Sequence, residues 1–138
     1  MITTASAANA DYVRGLGADR VIDYNAEDFT KTVSGCDVVF DTVGDDVQVR
    51  SYSVLKPGGR LVWVAPAPAG FKPPRTDVKV LRPAVSRDRA HLERIVALLE
   101  VGAVAPPPIT QYALAEAAAA HRVSEARHLR GKLVLTVR

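Results

Sequence analysis

A chain of 138 residues, 24% charged and 48% hydrophobic, has the size of one ordinary globular domain and is too short for two independent ones. Its 18 Lys and Arg against 15 Asp and Glu give a net charge of +3, too mild and too dispersed to argue for a nucleic-acid or membrane partner. The single Cys36 excludes an internal disulfide and a cysteine-rich zinc site and fits a reducing, cytoplasmic setting, while no run reaches the ~18 apolar residues that a membrane span needs.

Taken in order, the first half alternates short β-branched runs with short helical patterns. Ile2-Thr3-Thr4-Ala5 reads as a strand leading into Ser6, and Ala10 to Leu16 as a helix closed by Gly17, a residue suited to the left-handed cap position. Arg20 to Tyr24 is the next strand, and Glu27 to Val33 a brief helix stopped at Gly35. Asp37 to Val43 is a nearly continuous apolar strand, which implies burial on both faces, as in parallel sheets. A third helix over Asp46 to Leu55 ends at Lys56-Pro57-Gly58-Gly59, which launches the strand Arg60 to Ala65.

Pro66 to Pro74, rich in Pro, Ala and Gly, reads as an irregular loop of the kind that borders sites. A strand through Asp77 to Val85 follows, and Ser86 is placed to cap a helix whose Leu92, Ile95, Val96 and Leu99 recur at helical spacing. Ala105-Pro106-Pro107-Pro108 forbids helix and central strand alike. Ile109 to Tyr112 is extended, the alanine run Ala115 to Ala120 opens the last helix, and Lys132 to Val137 closes the chain as a strand. Repeated strand, helix, strand requires crossover connections of one hand, so the expected fold is α/β, a doubly wound, mostly parallel, Rossmann-like sheet.

Four segments carry a family resemblance. They are Thr3-Thr4-Ala5-Ser6; Val13 through Tyr24, with Gly15-Leu16-Gly17-Ala18 and Val21-Ile22-Asp23-Tyr24; Asp37-Val38-Val39-Phe40-Asp41-Thr42-Val43-Gly44 with Leu55-Lys56-Pro57-Gly58-Gly59-Arg60-Leu61; and Ala120-His121-Arg122 with Arg130-Gly131-Lys132-Leu133-Val134-Leu135. In order and spacing the chain resembles the C-terminal cofactor-domain portion of the medium-chain dehydrogenase/reductase superfamily, in its quinone oxidoreductase branch. The resemblance covers essentially the whole chain, and implies a single, incomplete NADP(H)-binding domain over 1–138. A full member would begin with a barrel-like catalytic domain, then the first strand and glycine-rich phosphate turn of the nucleotide fold. This sequence starts in what should be the second strand, and neither Gly15-Leu16-Gly17 nor Pro57-Gly58-Gly59 opens a helix at the pyrophosphate position.

Each site residue has a functional and a structural reading. The second strand of a dinucleotide fold ends in a carboxylate that selects NAD; here it ends in Ala5-Ser6, so Ser6 can donate to a 2′-phosphate, which favours NADP(H), or it can cap the next helix. Many relatives carry a basic residue two positions later, where this chain has Ala8. By resemblance Tyr24 lies beside the adenosine phosphate; otherwise it covers a sheet edge. Thr42, Val43 and Gly44 are expected against the cofactor at the carboxyl end of their strand, Gly44 permitting close backbone approach; the alternative is a plain strand-to-helix turn. The same logic places Val64, Ala65 and Pro66 beside the nicotinamide. Of His91, His121 and His128 none stands at metal-ligand spacing, and His121 reads as a packed core histidine. No nucleophile with its base is legible, so no catalytic residue is assigned.

The implied function is hydride transfer from NADPH to a small quinone or enone, with weak or no activity for this chain alone. Two other classes remain: an S-adenosylmethionine-dependent methyltransferase fragment, because methyl-donor folds also carry a strand followed by Leu55-Lys56-Pro57-Gly58-Gly59, and a non-enzymatic dimerisation or partner-binding module. Unpaired strand edges recruit other chains, so a homo-oligomer is expected, a dimer that relatives form through the outer strand near Val78 to Val85, along with a partner supplying the N-terminal catalytic half.

Overall fold

The computed structural model describes residues 1–84, 86–126 and 129–137. It divides into two compact units, Met1–Ala84 and Val85–Arg138. Every ladder between the described strands is parallel; three of the four pairs are joined through helical segments and the other through the irregular stretch 64–78, so the α/β architecture expected from the alternation is present.

The first unit opens with β1 (Ile2–Ala5), α1 (Ala10–Gly15) and β2 (Arg20–Asp23). β1 pairs with β2 from Ile2 against Arg20 to Ala5 against Asp23. Ile22 is fully buried, and Ala5 and Ala18 are buried too. The short α2 (Phe29–Thr32) is capped by Asp28, which accepts from the Thr30 amide at 3.0 Å and the Thr30 hydroxyl at 2.8 Å.

A second, three-stranded sheet follows: β3 (Cys36–Asp41), β4 (Leu55–Trp63) and β5 (Lys79–Leu81), in the order β3-β4-β5. Between β3 and β4 run α3 (Asp45–Ser51) and a 3-10 turn, Tyr52–Val54. The core of the sheet is Tyr52, Leu55, Leu61 and Val78, joined by Cys36, Val39 and Phe71, with the Tyr52 and Phe71 rings 5.9 Å apart. Arg75 pins this region: its guanidinium donates to the Tyr52 and Leu55 carbonyls at 2.9 and 2.7 Å and grips both oxygens of Asp77. Arg50 of α3 reaches back to α2, bonding Asp28 at 2.6 Å while its guanidinium lies 4.9 Å over the Phe29 ring.

Four expectations for this unit change. β4 begins at Leu55, not Arg60, because the Lys56 to Gly59 segment stays alongside β3 as an irregularity: Cys36 faces Leu55, yet Val38 faces Arg60. Pro57 has no amide hydrogen to give a regular ladder. β3 stops at Asp41, so Thr42 and Val43 belong to the turn beyond it. Nor is β3 buried on both faces, since Val38 is 43% and Phe40 60% exposed; among the described strands it pairs on one side only and is an edge of its sheet. β5 is shorter than the Asp77 to Val85 stretch, and Val85 itself lies outside the described residues.

The second unit holds α4 (Arg89–Glu100), β6 (Ile109–Ala113), α5 (Ala117–Glu125) and β7 (Lys132–Thr136). The cap of α4 is Asp88 in place of Ser86: Asp88 accepts from the His91 amide at 2.9 Å and from the Ser86 hydroxyl, so the serine supports the cap. The apolar stripe of α4 is largely exposed, Leu92 at 64% and Ile95 at 52%. β6 and β7 pair from Ile109 against Lys132 to Ala113 against Thr136. Their junction requires Gly131, at φ 91°, where a Cβ would come within 2.0 Å of the Pro108 carbonyl oxygen. The alanine run delivers Ala120 as the buried residue of α5, but His121 is exposed, which overturns its reading as a core histidine. His128 lies outside the described residues.

Leu61 is completely buried, so Leu61→Ala should cost about 2–5 kcal/mol in urea unfolding. Arg75→Lys cannot reproduce the fork that serves two carbonyls and a carboxylate at once, and should lower the melting temperature nearly as far as Arg75→Ala. The Thr30 and Arg50 bonds hold the Asp28 carboxyl at about 2, below its ordinary 3.8. That contribution is fully present above the unfolded value and is lost as pH falls from about 4 towards 2; Asp28→Asn should flatten the acid limb of the stability profile there.

Candidate nucleotide site at the carboxyl ends of the strands

Parallel strands deliver their following residues to a common edge, and the expected site residues lie there in two groups. Ser6 and Tyr24 form the first. Ala5 and Asp23 are the last register partners of β1 and β2, and the Tyr24 amide then donates to the Ala5 carbonyl at 3.3 Å. Ser6 holds an extended conformation and its carbonyl accepts from Asn9 at 2.9 Å, but its side chain makes no capping bond to the 3-10 turn Ala7–Asn9. Of the two readings of Ser6, the cap is therefore not realised. The half-buried hydroxyl is left for another partner, and Tyr24 stands 51% exposed beside it. Asp23 is occupied locally, accepting from the Asn25 amide at 3.0 Å and side chain at 3.2 Å.

The second group joins the ends of β3 and β4. Asp41, 3% exposed, turns its Oδ1 to the Val43 and Gly44 amides at 2.8 and 3.0 Å, closing the turn after β3. The Val64 amide donates to the Asp41 carbonyl at 3.0 Å, and the Asp45 amide to the Pro66 carbonyl at 3.0 Å. Gly44 sits between them at φ 81°, where a Cβ would lie 2.5 Å from the Pro66 oxygen and 3.0 Å from the Ala65 Cβ. Thr42, Val43 and Gly44 thus adjoin Val64, Ala65 and Pro66 in one patch. Thr42, Val43, Val64 and Pro66 face outward, whereas Gly44 is buried, and the close approach it permits is made by Pro66.

Asp41 is the residue that sequence reading missed as a site component. Its Oδ2 is buried with no hydrogen-bond partner, at the carboxyl end of β3. The available signal was an acid terminating an apolar strand and followed by Thr-Val-Gly, a pattern suited to an Asx-type turn.

These groups fit a nucleotide in kind: hydroxyls beside a strand end that carries no acid of its own, and an outward patch of Thr, Val and Pro suited to a flat ring. A metal is another matter. Among the described residues no group of three or more His, Cys, Asp or Glu side chains could hold one. No helix among the described residues is long and apolar enough to cross a membrane.

The model of the zinc-binding dehydrogenase family matches residues 16–135. An NADPH-dependent alkenal/one oxidoreductase of Arabidopsis thaliana chloroplasts is 32% identical over 136 residues, spanning 96% of this chain and 32% of that protein. The quinone oxidoreductase of Pseudomonas aeruginosa is 29% identical over 153 residues, spanning 96% of this chain and 47% of that protein. The chain therefore spans between about a third and a half of these relatives. Among solved structures, the quinone oxidoreductase of Coxiella burnetii superposes with a TM-score of 0.81 at 31% identity, covering 99% of this chain and 44% of that one. The Escherichia coli quinone oxidoreductase complexed with NADPH does so at 0.79 and 25% identity, covering 99% and 49%. The zinc of the family's name has no set of ligands among the described residues. The chain belongs to the zinc-binding dehydrogenase family of the medium-chain dehydrogenase/reductase superfamily, in its quinone oxidoreductase branch, and corresponds to the C-terminal, cofactor-domain portion.

Proposed function

We propose that this chain is one incomplete NADP(H)-binding domain that holds NADPH across the carboxyl ends of β1 to β4, in an enzyme that reduces a small quinone or enone. The observation that carries the reading is the Ser6 hydroxyl, uncommitted to its helix, beside the exposed Tyr24 at a strand end with no acid of its own. An acid there would repel a 2′-phosphate; a hydroxyl donates to it. Ser6 binds that phosphate, Tyr24 lies beside the adenosine phosphate, and Thr42, Val43 and the Gly44 turn run along the cofactor. Val64, Ala65 and Pro66 keep water from the nicotinamide. NADPH, when bound, supplies the hydride, and the protein orients it.

Two features temper the affinity: Ala8 stands where a cation would anchor the phosphate, and the substrate pocket belongs largely to a catalytic part such as the longer relatives carry. The family match speaks against the methyltransferase reading. β5 is exposed and outermost in its sheet, an edge suited to pairing with a second copy, so the proposal includes a cytoplasmic dimer, as in the non-enzymatic reading, without excluding cofactor binding.

Fluorescence titration should give tighter binding of NADPH than of NADH, with S-adenosylmethionine failing to compete. Ser6→Ala should narrow the NADPH preference by about three- to tenfold. Gly44→Ala, which drives a Cβ into Pro66, should weaken both nucleotides together. Mixed with NADPH and a quinone, the isolated chain should turn over poorly; a rate equal to that of a complete reductase would refute the assignment of the substrate pocket.

A further inference from the structure

β4 ends at Trp63 and β5 at Leu81, whose register partner is Val62. One step further along both strands, Trp63 and Arg82 leave the sheet together at its carboxyl edge. Pro83 follows, and a residue before proline is held to extended backbone, so Arg82 continues the line of β5. Its guanidinium carbon lies 4.9 Å from the centroid of the half-buried Trp63 ring. Among the described residues no carboxylate pairs with this exposed cation. Asp41, the register partner of Trp63, is buried and gives one oxygen to the Val43 and Gly44 amides. A guanidinium over an indole is held there by its charge, and its N–H donors remain for hydrogen bonds. Part of its rotamer freedom is already lost, so an arriving anion has less side chain to order.

The geometry points to Arg82 as a specificity-determining residue that receives a carboxylate of the substrate, so that the substrate class is an enone carrying a carboxylate. The inference rests on the cofactor reading and deepens it, because Val64, the residue after Trp63, opens the patch set beside the nicotinamide. A carboxylate in the fork of Arg82 makes two parallel charge-assisted bonds, while the indole and the outward Val64 and Pro66 flank the carbon skeleton. A neutral ester or amide keeps the apolar contacts and loses the paired charge. In the reaction, the carbon–carbon double bond takes a hydride from NADPH and a proton from water, leaving a saturated ketone and NADP⁺, and the carboxylate is held unchanged throughout.

Trp63 is the only tryptophan in the chain, so its emission reports this place alone. The probe is 4-oxo-4-phenylbutanoate, the saturated ketone that reduction of the corresponding enone leaves; it cannot alkylate Cys36, and its methyl ester is the neutral control. With NADP⁺ present, saturable quenching of Trp63 is expected, the acid binding about tenfold or more tighter than the ester. Arg82→Gln should erase that preference, and Arg82→Lys, which lacks the fork, should restore only part of it. Lys79→Gln removes an equal charge from an exposed position of β5 and should leave the preference intact. All three replace exposed side chains and should keep the melting temperature. The proposal is overturned if the acid fails to bind, if acid and ester bind alike, if Arg82→Gln keeps the preference, or if Lys79→Gln lowers it equally. It is also overturned if NADP⁺ displaces the acid, because Arg82 then holds a phosphate of the cofactor. NADPH binding is read separately from the emission of the nucleotide and should be unchanged by Arg82→Gln. Absence of the acid preference with NADPH bound rejects this inference alone, whereas absence of NADPH binding rejects the reading on which it rests.

Discussion

Parallel pairing is the constraint on which the site depends. Two parallel neighbours cannot be joined by a tight turn, so each strand must hand the chain to a crossover before the next begins. The residues that leave adjacent strands are therefore side by side: Ala5 with Asp23, and Asp41 with Trp63. Ser6 and Tyr24, or Gly44 and Pro66, are far apart in the chain yet adjacent in space for this reason alone. Open α/β sheets bind ligands at that edge because the loops there are free to vary while the ladders behind them are not.

Within that frame Asp41 organises the second group. Its backbone completes the step from β3 to β4, one carboxylate oxygen folds the turn after β3, and the other remains unsatisfied. Gly44 then lets the two strand ends come together, at a φ and a separation that a side chain would forbid. The outward Thr42, Val43 and Val64 are consequences of that closure.

Much of this was legible in the sequence, because strand cores and crossover helices are local patterns. Ile2 to Ala5, Arg20 to Asp23 and Lys132 to Thr136 fall where β-branched runs place them. What was not legible depends on partners distant in the chain. Val38 and Phe40 look like buried residues in any window; their exposure follows from β3 being an edge. Lys56 to Gly59 has the composition of a stop, and only its alignment with Cys36 keeps it in β4. Ser86 and Asp88 are both good caps, and the choice turned on which carboxylate or hydroxyl reached the His91 amide. The site residues were located by resemblance, and Asp41 escaped because its role is a hydrogen-bond pattern, visible only once the turn is formed.

α2 follows β2 and α3 follows β3, so the Arg50 guanidinium that bonds Asp28 and covers Phe29 spans from one ladder to the other. Among the described strands no ladder joins β1 to β3, so this is a tether of side chains. Both charged partners are about one-third exposed, which makes the tether soft and responsive to ionic strength. The link between the two ladders at this point is accordingly made by side chains, whereas a continuous sheet would make it with backbone bonds.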